Sequence, residues 1–170
     1  MPKDLRAILY KAKGLDLDLP VLSAILPSNN LQIQKGYKLV EKTGKKRIGV
    51  LGISFKPGTD DLRESPMVEL IEKLLGKGYQ VSIYDREVSL ARLMGANKRY
   101  IETVIPHIAS VMKRSMQEVV QNSDVIIVGN KVKEFEKVVS NTDHNKTILD
   151  MVRIIPEPKG KYESYKGICW

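Results

Sequence analysis

The stretch Ile48–Pro66, I-G-V-L-G-I-S-F-K-P-G-T-D-D-L-R-E-S-P, limits the fold more than any other part of the chain. It opens inside a run from Arg47 to Ser54 dense in Ile, Val and Leu, the pattern of a strand covered on both faces of a parallel sheet. A polar loop follows, and then a helix whose start is marked by Ser65 as N-cap and Pro66 at the first helical position. Parallel neighbours are joined only through crossovers, so such a strand commits the chain to alternating strands and helices. Lys56, Asp60, Asp61, Arg63 and Glu64 crowd the connection with more charge than a plain turn needs. Ligands of open α/β sheets collect outside the carboxyl ends of strands, where this loop falls.

The remainder repeats the alternation. Pro66 to Gly76 carries a broad apolar face (Met67, Val68, Leu70, Ile71, Leu74, Leu75) and stops at Gly76 and Gly78. Tyr79 to Asp85 reads as a second strand, Asp124 to Gly129 as a third and Thr147 to Met151 as a fourth. A helix near Ser89 to Gly95 leads into a long excursion through Tyr100 and Pro106. Ser115-Met116-Gln117-Glu118 is a capping box opening a helix to Asn122, and Val132 to Val139 is a further helix. The expected class is α/β: a doubly wound, mainly parallel sheet with right-handed crossovers. The tail from Ile154 to Trp170, rich in Pro, Lys, Gly and Tyr, reads as irregular.

Ahead of the sheet, Pro2 to Lys13 reads as a short helix closed by Gly14. A second helix follows Asp18-Leu19-Pro20 toward Thr43, with Leu22, Ile25, Leu26 and then Ile33, Tyr37, Val40 at helical spacing. Pro27 inside that pattern predicts a kink or a restart. Residues 1–45 have too little apolar material to fold alone, so they pack on residues 46–170 or on another chain.

Composition narrows the function. Apolar content of 42% and charged content of 28% describe an ordinary globular protein, and no apolar run approaches a membrane span. The single cysteine, Cys169, rules out an internal disulfide and fits a cytoplasmic setting. A net charge of +8 fits either a solvated lysine-rich surface or a specific anionic ligand such as a phosphorylated metabolite. Nucleic acid has no support beyond charge, since only two Phe and one Trp are available for stacking and no recognition motif is present. His107 and His144 stand without Cys or His at ligand spacing, so no metal site is expected.

Dinucleotide binding is the first thought for such a fold, but G-x-G-x-x-G is missing: the first strand offers only Gly49 and Gly52. Asp85 ends the second strand, where an acid can hold a ribose; without the glycine turn it reads as a strand-end residue bonding a loop. The charged loop offers other chemistry. Lys56 is a flexible point charge for a phosphate or a sugar hydroxyl, and Phe55 gives an apolar wall. Arg63 is a planar fork for phosphate or carboxamide. Asp60 and Asp61 suit Asx-type turns. Surface ion pairs of little energetic value account for the same charges equally well.

F-K-P-G-T-D-D-L-R-E-S-P resembles the signature that opens the C-terminal nucleotide-sugar-binding domain of the UDP-glucose/GDP-mannose dehydrogenase family. G-K-G-Y-Q-V-S-I-Y-D-R-E-V, G-A-N-K-R-Y-I-E, I-P-H-I and the closing G-I-C-W resemble its GDP-mannose branch, with the UDP-glucose branch as the alternative. Pro2-Lys3-Asp4 resembles the end of the family's active-site motif G-x-C-x-P-K-D, and the helix through Asn30 to Glu41 its central dimerisation helix.

The resemblance implies a C-terminal fragment: residues 1–45 the end of a helical dimerisation domain, residues 46–170 the nucleotide-sugar domain. The family's cysteine and its NAD-binding domain are not among these residues, so the chain alone is expected to be inactive. The family oxidises a sugar alcohol to the acid in two NAD-dependent steps. By resemblance, Lys3 contacts cofactor and stabilises developing negative charge, and Asp4 acts as a base. Lys56 and Phe55 hold the nucleotide sugar, Arg63 reaches NAD, and Arg153 in D-M-V-R resembles an arginine that contacts nucleotide phosphate in some UDP-glucose members. The implied partners are a nucleotide sugar and a second copy of the chain through the long helix. A free-standing nucleotide-sugar-binding module remains the alternative from another class.

Overall fold

The computed structural model describes residues 2–91, 101, 103, 105–142, 145–156 and 164–168. Two helices, α1 (Pro2–Lys13) and α2 (Pro20–Glu41), precede the sheet. Then come β1 (Arg47–Leu51), α3 (Pro66–Gly76), β2 (Gln80–Tyr84) and α4 (Arg86–Ala91). After α5 (Pro106–Val111) and α6 (Met116–Gln121) the chain forms β3 (Val125–Val128), α7 (Lys133–Asn141), β4 (Thr147–Asp150) and β5 (Tyr165–Gly167). The five strands are all parallel, in the order β2-β1-β3-β4-β5.

Period-two alternation divides the strands between two apolar layers. Ile48 and Val50 of β1, Val125 and Ile127 of β3, and Leu149 of β4 pack with α2, α3 and α5. Leu51, Ile126, Val128 and Ile148 pack with α6 and α7 on the other face. Gly49 lets α6 approach: a Cβ there would lie 2.6 Å from Ser123 Oγ and 2.9 Å from Val119 Cγ1. The Ser115 and Ser65 hydroxyls accept from Glu118 N and Met67 N and start α6 and α3 where the capping signals lie.

Three expectations are corrected. No restart occurs at Pro27: α2 runs unbroken through it, since a proline removes one i→i−4 bond and the turns on either side keep theirs. Within the long excursion between β2 and β3, Pro106 opens α5 at the first helical position, where its missing N–H is not needed. The tail is not wholly irregular. Tyr165–Gly167 adds an edge strand to β4, paired through Ile148↔Tyr165, Leu149↔Lys166 and Asp150↔Gly167. The helix expected from Ser89 to Gly95 begins earlier, at Arg86. Its continuation, most of the Gly95–Glu102 block, His144, Cys169 and Trp170 lie outside the described residues.

The two halves of α2 meet different surroundings. Its C-terminal half is anchored on the sheet domain, with Ile33, Gly36 and Val40 buried and Tyr37 edge-on to Tyr79. Its N-terminal half is less covered: Val21 there is exposed at 78%, as are Tyr10 of α1 at 84% and Leu31, just past the midpoint of α2, at 64%. No helix among the described residues is long and apolar enough to cross a membrane.

Candidate functional site

Strand order 2-1-3-4-5 reverses the direction of winding between β1 and β3, and a doubly wound sheet opens its ligand crevice at the carboxyl ends of those two strands. Two glycines bring the strand ends together. Gly52 has φ +83°, and a Cβ on Gly129 would lie 2.3 Å from the Gly52 carbonyl oxygen. The chain leaving β1 is therefore thrown outward as the loop Ile53–Ser65, above the crevice.

Buried groups hold that loop at its root. Asp85 accepts from Ile53 N at 2.8 Å and Ser54 N at 3.1 Å through Oδ2, and from Glu87 N and Val88 N through Oδ1. Four backbone donors occupy a carboxylate that is 4% exposed, so Asp85 serves the loop and has no geometry left for a ribose. Ser65 Oγ donates to the Ile53 carbonyl at 2.7 Å while capping α3. Asn130 Nδ2 donates to Ser54 Oγ at 2.7 Å and to the Ser54 carbonyl at 3.2 Å. Glu64, with φ +56°, turns back to pair with Arg6 and ties α1 to the loop.

That tie brings two distant segments into one place. Lys3 and Asp4 from the start of α1, and Phe55, Lys56, Asp61 and Arg63 from the loop, line a cleft of about 490 Å³. Arg63 folds onto Asp61 through both carboxylate oxygens at 2.8 and 2.9 Å. The fork holds the Asp61 carboxyl below the usual carboxylate range, with a further contribution from Lys3. Phe55 also walls a second, mainly apolar cleft of about 410 Å³, lined among others by Asn29, Ile33, Met67, Asn130 and Met151. Five of the six residues expected from the sequence thus share one cleft. Arg153 is not among its lining residues: with φ +52° it sits in the turn after β4 and donates to the Pro156 carbonyl at 3.3 Å.

Sequence reasoning missed Asn130 and the Arg6–Glu64 tie. A polar residue directly after the buried run V-I-I-V-G was the available signal for Asn130; nothing local marks the Arg6–Glu64 pair.

A parallel sheet wound in this order, with a charged loop over its switch point, defines an α/β domain of the doubly wound ligand-binding class. Residues 49–157 match the UDP binding domain of the UDP-glucose/GDP-mannose dehydrogenase family, and the chain belongs to that family. Over its whole length it is 44% identical to the GDP-mannose 6-dehydrogenase of Pseudomonas putida, and it spans 39% of that protein. Its structure superposes on a ternary complex of GDP-mannose dehydrogenase from Pseudomonas aeruginosa with a TM-score of 0.94, at 45% identity, covering the whole of this chain and 38% of the other. A UDP-glucose dehydrogenase from the archaeon Pyrobaculum islandicum matches with a TM-score of 0.73 at 26% identity, over 99% of this chain and 37% of that one.

Proposed function

We propose that this chain holds the nucleotide sugar in an NAD-dependent GDP-mannose 6-dehydrogenase, which oxidises the sugar C6 alcohol to a carboxylate. The observation that carries the reading is the meeting of Lys3 and Asp4 with Phe55, Lys56 and Arg63 in one cleft, from segments about fifty residues apart in sequence. Whole-chain similarity to GDP-mannose dehydrogenases supports the choice of sugar nucleotide.

Each role follows from the chemistry of the side chain. Lys56, exposed beyond the strand end, is a point charge for phosphate or sugar hydroxyls, with Phe55 as the apolar wall beside it. Lys3 lies on the same cleft and stabilises negative charge developing on the sugar oxygen. Asp4, one residue on, serves as the base. Arg153, in the turn after β4, is assigned to nucleotide phosphate.

NAD supplies the hydride acceptor when bound. This sheet does not offer it a dinucleotide cradle, because the glycine fingerprint is missing and Asp85 is consumed by backbone donors. Lys3 and Arg63, cations on the cleft, fit a contact to NAD carried by a neighbouring domain. Residues 1–45 serve as a dimerisation segment and residues 46–170 as the nucleotide-sugar domain. Two copies of the chain form a homodimer through α2, in a cytoplasmic enzyme.

The test is a chimera in which this chain replaces the matching segment of the P. aeruginosa enzyme, with NADH formation followed on GDP-mannose and UDP-glucose. Turnover of GDP-mannose that is lost with Lys56→Ala bears the reading out. Turnover of UDP-glucose alone moves the chain to the other branch. Binding of GDP-mannose with no turnover of either sugar favours a binding module without oxidoreductase activity.

A further inference from the structure

A relay of hydrogen bonds, buried at its β3 end, runs from β3 to the residue proposed to grip the ligand. Asn130, 6% exposed, stands just beyond β3. Its Nδ2 donates to the Ser54 carbonyl, which can only accept, and to Ser54 Oγ at 2.7 Å. Ser54 Oγ in turn donates to the Lys56 carbonyl at 3.0 Å. The same carbonyl accepts from Thr59 N at 3.2 Å and Thr59 Oγ1 at 2.8 Å. The main chain of Lys56 is thus pinned from the β3 side through Ser54 and from its own turn through Thr59. Asp85 fixes two amides upstream, Ile53 N and Ser54 N.

From this geometry we infer that Asn130 is a positioning residue that fixes the Lys56 ammonium over the cleft through Ser54. The inference rests on the reading that Lys56 contacts the nucleotide sugar. A lysine side chain has large rotamer entropy, and an anchored main chain removes part of the ordering cost that binding must otherwise meet. Asn130 reaches Lys56 only through Ser54. Its effect on the ligand must therefore disappear when the ammonium is absent. A residue that merely held the fold together would weaken binding whatever stood at position 56.

The experiment is an amide NMR titration of the full chain with GDP-mannose up to millimolar concentration, run on wild type, Asn130→Ala, Lys56→Ala and the double variant, with Tm recorded for each. Asn130→Ala is expected to weaken binding about tenfold, the scale of one well-made buried hydrogen bond. In the Lys56→Ala background it is expected to change nothing further, the signature of a coupled pair. Ser54→Ala, which removes the relay hydroxyl and keeps the backbone bonds, serves if Asn130→Ala does not fold, and the same non-additivity is expected of it. Equal weakening in both backgrounds overturns the inference and leaves the role of Lys56 standing. So does unchanged affinity in Asn130→Ala and Ser54→Ala while Lys56→Ala binds weakly. No GDP-mannose response at Phe55–Thr59, or no effect of Lys56→Ala, overturns the Lys56 reading and the inference with it.

Discussion

Arg63 and Asp61, two residues apart, close on each other as a fork: Nε lies 2.8 Å from Oδ1, Nη2 lies 2.9 Å from Oδ2, and the Arg63 amide donates to Oδ1 at 3.1 Å. The Asx-type turn and the ion pair use the same carboxylate, so the loop is stiffened where Arg63 faces the cleft. An incoming phosphate or carboxamide that binds through Nε and Nη2 has to exchange with Asp61. The fork is a preorganised, competitively held donor set.

The fork also predicts an acid limb. Hydrogen bonds from Arg63 lower the Asp61 carboxyl from its ordinary 3.8. A carboxyl depressed in the folded state contributes stability that is present above the unfolded value and lost as pH falls through the folded one. Wild type is expected to be more stable than Asp61→Asn above about pH 3.8, with the difference closing at lower pH. The gap is small, because the pair is exposed at 69% and 40%. Asp124, held low by Arg47, titrates in both proteins and cancels. Urea midpoints over an acid pH series check this; a gap constant with pH removes the linkage.

Gly129→Ala tests the contact that shapes the crevice. A Cβ at 2.3 Å from the Gly52 carbonyl oxygen and 2.8 Å from Met67 Cγ has no room unless the ends of β1 and β3 separate. Overpacking of this kind destabilises by about 1–3 kcal/mol, and backbone against Cβ falls at the upper end. Gly44→Ala is the control for composition: nothing lies within 4 Å of its Cβ, so its smaller loss reflects φ +67° alone. Thermal or urea unfolding of both variants decides it. A Gly129→Ala protein as stable as wild type would show that the two strand ends are not in contact.

Tyr165 and Asp150 lock the edge strand. The Tyr165 hydroxyl donates to Asp150 Oδ2, and the fully buried Asp150 also accepts from Val152 N at 3.0 Å and Ile154 N at 2.7 Å. Tyr165→Phe is expected to lower stability by about 1.5–3 kcal/mol, the range for a hydrogen bond to a charged group. Burial and the Asp150 carboxylate raise the phenol above its ordinary 10.0. A phenol raised on folding contributes stability that is complete below that value and lost as pH rises above it. Stability of wild type should therefore fall above pH 10, and that of Tyr165→Phe should fall less.

How much of this was legible depends on whether the cause was local. The four longer strands announce themselves as apolar runs or, in β2, by alternation, and Ser65–Pro66 and Ser115–Glu118 mark helix starts because capping uses atoms a few residues apart. Lys56, Phe55 and Arg63 stood out by charge density and by resemblance. Tyr165–Gly167 did not, since an edge strand of three residues with one glycine has no apolar run and is selected by the free edge of β4. Asn130 acts on Ser54, 76 residues away, a relation that exists only once β1 and β3 are neighbours. The restart that Pro27 suggests does not occur because a proline signals a break locally, whereas the helix is held by α3 beyond it.

The less covered half of α2 carries the last prediction. Val21 and Ile25, one helical turn apart in that half, and Leu31, just past the helix midpoint, are exposed at 78%, 38% and 64%, on a helix whose C-terminal end is buried. Apolar side chains in such number on an anchored helix leave a surface suited to a second copy. A homodimer through this face links folding to association, so the Tm of wild type should rise with protein concentration. Val21→Glu with Leu31→Glu places a carboxylate at each of two contacts and makes no buried charge in the isolated chain. The double variant is expected to scatter light as a monomer, with a Tm independent of concentration and with the sheet domain intact. A wild-type chain that stays monomeric well above micromolar concentration sinks the proposal, and so does a variant that dimerises as wild type does.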